Sequence, residues 1–295
     1  PLFESDKMTI HIVTHGGCPD GHTSAFLLHK YLPPTREPRE FHAAYDRVNP
    51  PEGIAPGDKV IIADYSYPRD TLVELAMHCS VELLDHHKTA EADLVGLDIP
   101  NLNITFDMNK SGAMLVWEYV GSPPEAYDLV SYIQDYDLWT KELPNTEEIN
   151  AVIQSMEMTF ENWDDLESRL DFTDEIVHVI SEGKAIRRYQ RKIIDAAKRD
   201  ARKMTIGGHE VLVTQSPYAL GSMIAGEMAE ENPDMAFGAY YIDSTEGRQF
   251  GLRSRSDSDD PGFDVSEVAQ QYDGGGHHNA SGFKVDWNHE LSGRG

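Results

Sequence analysis

The apolar run that ends Leu83-Leu84-Asp85-His86-His87 hands a carboxylate and two imidazoles to the following loop. Two other apolar runs end in the same way. "TIHIVTH" closes on His15 and is followed by Asp20, and "KVIIADYS" closes on Asp64. In a fourth segment, "LVSYIQDYD", an acidic pair stands at the end, Asp135 with Asp137 beside it. Carboxylates crowded together raise one another's pKa unless a cation compensates them. Acids mixed with imidazoles are a donor set for divalent ions with O and N ligands. Two such ions about 3.5–4 Å apart can activate a water and hold the oxygens of a phosphoryl displacement.

These residues need elements that bring them together. The three apolar runs, 8–15, 58–66 and 80–87, read as buried strands. Segments 23–32, 68–79, 111–120 and 123–135 read as helices. Strand alternating with helix defines an α/β domain with a mainly parallel sheet. In such a sheet ligands collect beyond the carboxyl ends of the strands, so all three polar endings are expected to face one crevice. Residues 150–182 read as helical and carry no legible chemistry. Residues 184–203 read as one helix with nine basic and two acidic residues, a helical connector. Beyond it, strands at 209–216, 235–243, 249–256 and 282–287 with helices at 219–231 and 263–272 describe a second, smaller α/β domain. "SDSDDPG" (256–262) reads as a polar loop. The expected division is 8–182, a linker 183–204, and 205–288.

In the second domain the run Gly274-Gly275-Gly276 suits an anion-binding turn, since glycine lets the backbone approach a ligand and take positive φ. His277 adds a donor, and Arg253 and Arg255 lie in a stretch expected to reach the same place, where guanidinium forks bind phosphate. The alternative is a plain glycine hairpin beside two exposed arginines.

Composition limits the partners. The 295 residues carry a net charge of −26, which disfavours binding to duplex DNA. No apolar run reaches the ~18–20 residues of a membrane helix. No leader-like opening is seen, and the cysteines, Cys18 and Cys79, suggest no disulfide framework. The expectation is a cytoplasmic protein without a membrane partner, with monomer and homodimer both open.

In order along the chain, "DGHTSA" (20–25), "ADYS" (63–66), "DHHKTA" (85–90), "QDYD" (134–137) and "GGGHHNASGF" (274–283) resemble the motifs of the DHH phosphoesterase superfamily and its associated C-terminal domain. The resemblance implies a metal-dependent phosphoesterase with two divalent ions, Mn²⁺ first, with Co²⁺, Zn²⁺ and Mg²⁺ open. It implies that Asp64 bridges the ions, that Asp20, His86 and Asp135 complete one site, and that His15 belongs to the other. His87 would act near the phosphate as general acid, and Asp85 would orient a histidine. The first motif departs from the family pattern, because Cys18 stands where an acid is usual. Cys18 is either a soft ligand, favouring Zn²⁺ or Co²⁺, or a loop residue beside a water, and His22 is a further candidate for the gap. Arg253, Arg255, Gly274, Gly275, Gly276 and His277 would hold a substrate phosphate. The implied substrate is a short single-stranded oligonucleotide or small nucleotide, with phosphomonoesterase, exopolyphosphatase and non-catalytic phosphate binding as alternatives.

Overall fold

The computed structural model describes residues 8–45, 48–171, 174–256 and 260–293. The chain divides into two compact units, 1–186 and 187–295.

The first unit opens with β1 (Ile10–His15), α1 (Pro19–Tyr31), β2 (Arg39–Ala44), β3 (Lys59–Ala63), α2 (Arg69–His78), β4 (Ser80–Asp85), α3 (Lys88–Leu94) and β5 (Leu102–Phe106). It continues with α4 (Gly112–Tyr119), α5 (Tyr127–Asp137), α6 (Thr146–Ser155) and α7 (Phe160–Asp171). The five strands are all parallel, in the order β2-β1-β3-β4-β5. Ile12, Ile61 and Ala63 pack into one core with α1, α4, α5, α6 and α7. Val13, Val60, Ile62 and Leu83 pack into a second core with Leu72 and Ala76 of α2 and Leu94 of α3. Burial on both faces is why these strands read as continuous apolar runs. The chain leaves β1 for β2 on one side and β3 on the other, so the strand order reverses between β1 and β3.

α8 (Ile176–Arg199) carries the chain into the second unit. There follow β6 (Arg202–Ile206), β7 (His209–Gln215), α9 (Gly221–Glu231), β8 (Gly238–Asp243), β9 (Arg248–Arg253), α10 (Val265–Gln270), β10 (Gly275–Gly276) and β11 (Ala280–Val285). The sheet order is β10-β11-β9-β8-β7-β6, with β7 and β8 parallel and the other pairs antiparallel. Phe250, Leu252, Phe283 and Val268 fill its core.

The α/β class, the parallel first sheet and the second α/β unit agree with the sequence expectation, and the second sheet is mixed. Several elements differ. The helix expected over 184–203 begins earlier and stops at Arg199, and residues 202–206 form a strand. Gly207 and Gly208, at φ of 57° and 84°, make the tight turn that pairs β6 with β7. Two positive φ values are what a two-residue hairpin turn requires, and the pairing overrides the helical pattern of the basic segment. β2, α3 and β5 were not expected. Both strands lie at the sheet edges and lack a continuous apolar run. Residues 257–259 of the polar loop lie outside the described residues.

Candidate active site

The first unit collects its titratable side chains at the carboxyl ends of β1, β3 and β4, flanking the place where the strand order reverses. This is where open α/β sheets bind ligands. Asp64 follows β3 and takes the left-handed backbone, φ 55°, which Asp tolerates better than most residues. Gly112 opens α4 directly against it. A Cβ on Gly112 would lie 2.4 Å from Asp64 Cβ, so only glycine lets the helix end come this close. Ser111 caps the helix by accepting from the Met114 N–H.

Asp20, in the first turn of α1, is buried and accepts from the Gly112 N–H at 2.7 Å and the Ala113 N–H at 2.8 Å. The start of α4 therefore fixes both of its oxygens. α1 can lie against the end of β1 because Gly21 has no side chain, since a Cβ there would sit 2.3 Å from the His15 carbonyl oxygen.

His86 is buried at the end of β4. Its Nε2 is 3.0 Å from Asp64 Oδ1, 3.5 Å from Asp20 Oδ2 and 3.6 Å from Asp137 Oδ2. Burial opposes its charge, but the Asp64 hydrogen bond and the charges of Asp137, Asp64 and Asp20 push its pKa up to about 10. On the other side of Asp64, Oδ2 is 3.6 Å from His15 Nδ1. Burial and the charges of Asp64 and Asp137 push Asp20 well above the usual carboxylate range. Asp64 is buried too, yet His15 and His86 hold it well below that range.

Potential ligand atoms of Asp20, His86 and Asp137 lie within 4.8 Å of one another, and so do those of His15, Cys18 and Asp64. One donor set is two carboxylates and an imidazole, the other a carboxylate, an imidazole and a sulfur. With Asp64 between them, the two sets fit a pair of divalent cations. Asp20, a buried carboxylate pushed up by burial and by the charges of Asp64 and Asp137, marks the electrostatic deficit such ions would relieve.

His87 lies beside this group. Its Nδ1 is 2.7 Å from Asp85 Oδ1, and the same oxygen accepts the His86 N–H at 2.8 Å. Asp85 thereby fixes the His87 ring and leaves Nε2 on the far edge. Burial works against a charge on His87, but the charge and hydrogen bond of Asp85, together with Asp64, raise its pKa above the usual histidine value.

The structure brings together His15, Cys18, Asp20, Asp64, Asp85, His86 and His87. It does not bring Asp135 to them. The Asp135 carboxylate is fully occupied by the Thr140 and Thr146 hydroxyls and the Glu142 and Leu143 N–H groups, closing the loop after α5. Asp137 takes the place expected for it. Two residues along a helix are about 200° apart, so only one of the two acids can face the sheet. Cys18 is not remote, since its sulfur joins His15 and Asp64. Burial, then the charges of Asp64, Asp137 and Asp20, push its thiol pKa up, which disfavours a thiolate without a cation. His22 points elsewhere. It packs edge-on against Trp163 with ring centroids 4.5 Å apart, and burial lowers its pKa.

In the second unit the glycine run is not an open anion nest. Gly275 and Gly276 pair with Gly282 and Ser281, the Gly274 N–H donates to the Ala269 carbonyl, and the His277 N–H donates to that of Ala280. Gly274 is required by packing, because a Cβ would lie 2.2 Å from the Gly282 carbonyl oxygen. Arg255 donates to the Pro233 carbonyl, and Arg253 donates to the Ser222 hydroxyl at 2.7 Å. Asn279 ties this turn to Ser254, Arg255 and Pro261. Gly112 is the site residue the sequence reading passed over, while Asp137 was noted beside Asp135 but not chosen as the ligand. A glycine at a helix start directly after serine was the signal for Gly112.

No family model matches the chain. It is 27% identical over 307 residues to uncharacterized protein R106 of Acanthamoeba polyphaga mimivirus, covering 95% of this chain and 68% of that one. Among solved structures it is similar to RecJ from Thermus thermophilus, solved in complex with Mn²⁺, with 17% identity, a TM-score of 0.56, and coverage of 95% of this chain and 50% of RecJ. An exopolyphosphatase-related protein from Bacteroides fragilis aligns with 14% identity and a TM-score of 0.49 over 98% of this chain and 90% of its own. The RecJ likeness shows the fold, two α/β units of which the first is built on a parallel sheet. Among the described residues no helix is long and apolar enough to cross a membrane.

Proposed function

We propose that the chain is a divalent-metal-dependent phosphoesterase acting on short oligonucleotides or small nucleotides. The observation that carries this reading is Asp64, held between His86 at 3.0 Å and His15 at 3.6 Å. Asp20, His86, Asp137 and one Asp64 oxygen would hold one ion, and His15, Cys18 and the other Asp64 oxygen a second. When bound, the ions polarise a phosphoryl oxygen and ease deprotonation of a water. Mn²⁺ suits the first donor set, and the Cys18 sulfur biases the second towards Zn²⁺ or Co²⁺.

The protein's own groups do the rest. His87, oriented by Asp85, presents Nε2 towards the leaving oxygen and donates a proton to it. The N–H groups at the start of α4 hold Asp20 in place throughout. The net charge of −26 supports a small substrate rather than a long polyanion.

Turnover with Mn²⁺ on a dinucleotide RNA, 3′-phosphoadenosine 5′-phosphate, cyclic di-AMP and tripolyphosphate tests this. The expected result is the highest kcat/KM on the dinucleotide or the mononucleotide. A preference for tripolyphosphate overturns the substrate class, and no turnover of any of the four overturns the reading.

A further inference from the structure

A second group of metal-ligating side chains lies at the opposite, amino-terminal end of the parallel sheet. His11 is in β1, Glu40 and His42 are in the edge strand β2, and Asp58 immediately precedes β3. The register sets His11 opposite Glu40 and Val13 opposite His42, so the three side chains share one sheet face. His11 and His15 are four residues apart on one strand, about 13 Å at the strand rise, so this group is separate from the one around Asp64.

Three potential ligand atoms converge there. His11 Nδ1 is 3.1 Å from His42 Nε2 and 3.5 Å from Glu40 Oε2, and the latter two are 3.9 Å apart. Tetrahedral ligands about 2.0–2.1 Å from an ion lie about 3.3–3.4 Å from one another, close to these separations. The tautomer is also prepared. His11 is buried, and its Nε2 is 3.1 Å from Asp58 Oδ2. Asp58 in turn accepts from the Thr9 and Ala55 N–H groups, at 2.8 Å each. A carboxylate that accepts a hydrogen bond from Nε2–H keeps the proton on that nitrogen and the lone pair on Nδ1, and this is how metal-bound histidines are usually supported.

We propose that His11 Nδ1, His42 Nε2 and the Glu40 carboxylate form a zinc-type site with a water in the fourth position, supported by Asp58. Two imidazoles and a carboxylate suit Zn²⁺ and its spectroscopic substitute Co²⁺ better than Mg²⁺ or Ca²⁺. The site lies on the edge strand, with Glu40 half-exposed, so an ion can enter from solvent.

Co²⁺ and Zn²⁺ titrations of the full chain test the proposal, followed by visible absorption and ion count. In an Asp64→Asn background, adding His42→Ala is expected to lower the Co²⁺ count by one ion per chain and to remove the tetrahedral absorption bands of that ion. Glu40→Gln, at a half-exposed position that folding tolerates, is expected to weaken Zn²⁺ binding at least tenfold. In the otherwise native chain, His42→Ala loses one ion and keeps phosphoester turnover. An ion count and absorption bands unchanged by both substitutions overturn the site, whatever the outcome at Asp64.

Discussion

Asp64 Oδ1 lies 3.0 Å from His86 Nε2, and Asp64 holds this position with a left-handed backbone, φ 55°, against a helix end that tolerates no side chain. The arrangement sets one carboxylate where it can serve donors on both sides. Asp64→Asn keeps the shape, and asparagine accepts the same backbone conformation. It removes the shared charge. Phosphoester kcat/KM is expected to fall by about a thousand-fold or more, with the fold retained by circular dichroism.

Gly112→Ala tests the close approach separately. Its new Cβ would lie 2.4 Å from Asp64 Cβ and 2.8 Å from Asp64 Cα. Backbone and helix must part, at a cost of about 1–3 kcal/mol. Thermal unfolding should show that loss, and Mn²⁺ affinity should fall with it, although alanine ligates nothing.

Asp135 and Asp137 should separate stability from metal binding. Asp137→Asn is expected to weaken Mn²⁺ binding at least tenfold with little change in unfolding free energy. Asp135→Asn is expected to cost about 1–3 kcal/mol, because it disrupts a buried carboxylate with four donors. Burial alone would raise the Asp135 pKa, but the Thr146 and Thr140 hydroxyls and the Glu142 and Leu143 N–H groups lower it below the usual value. A carboxylate whose folded pKa is depressed stabilises the protein above its unfolded pKa, about 3.9. That contribution is lost as pH falls through the folded value. The difference in stability between wild type and Asp135→Asn should therefore be full at pH 7 and shrink below about pH 4.

The Asp85–His87 pair makes a pH prediction for turnover. Asp85 holds the His87 pKa above the usual histidine value. With His87 as the proton donor, activity needs its protonated form and falls as pH rises through that pKa. Asp85→Asn removes the charge that raises it, so the alkaline limb of the kcat profile should move to lower pH. An unmoved limb would remove His87 from that role.

β1, β3 and β4 were legible because each is buried on both faces and ends abruptly in a titratable residue. β2 and β5 were not, because an edge strand such as "REFHAA" alternates between half-covered positions and carries no apolar run. The residues around Asp64 were legible as types in order along the chain. Which acid of Asp135 and Asp137 faces the sheet was not, because it depends on the rotation of α5. The glycines at 274–276 were legible as a constraint, but their cause is close packing of β10 on β11 rather than an open ring of N–H groups. His11 and His42 are 31 residues apart, and only the register of β1 on β2 brings them together.

The central claim is that residues from separate strands and helices converge to hold divalent ions. Anomalous diffraction from crystals grown with Mn²⁺ measures it directly. The account predicts one peak within ligand distance of Asp20, Asp64, His86 and Asp137, and a second shared by Asp64, His15 and Cys18. Manganese bound elsewhere, with His86 Nε2 still hydrogen-bonded to Asp64 at saturating metal, would contradict it.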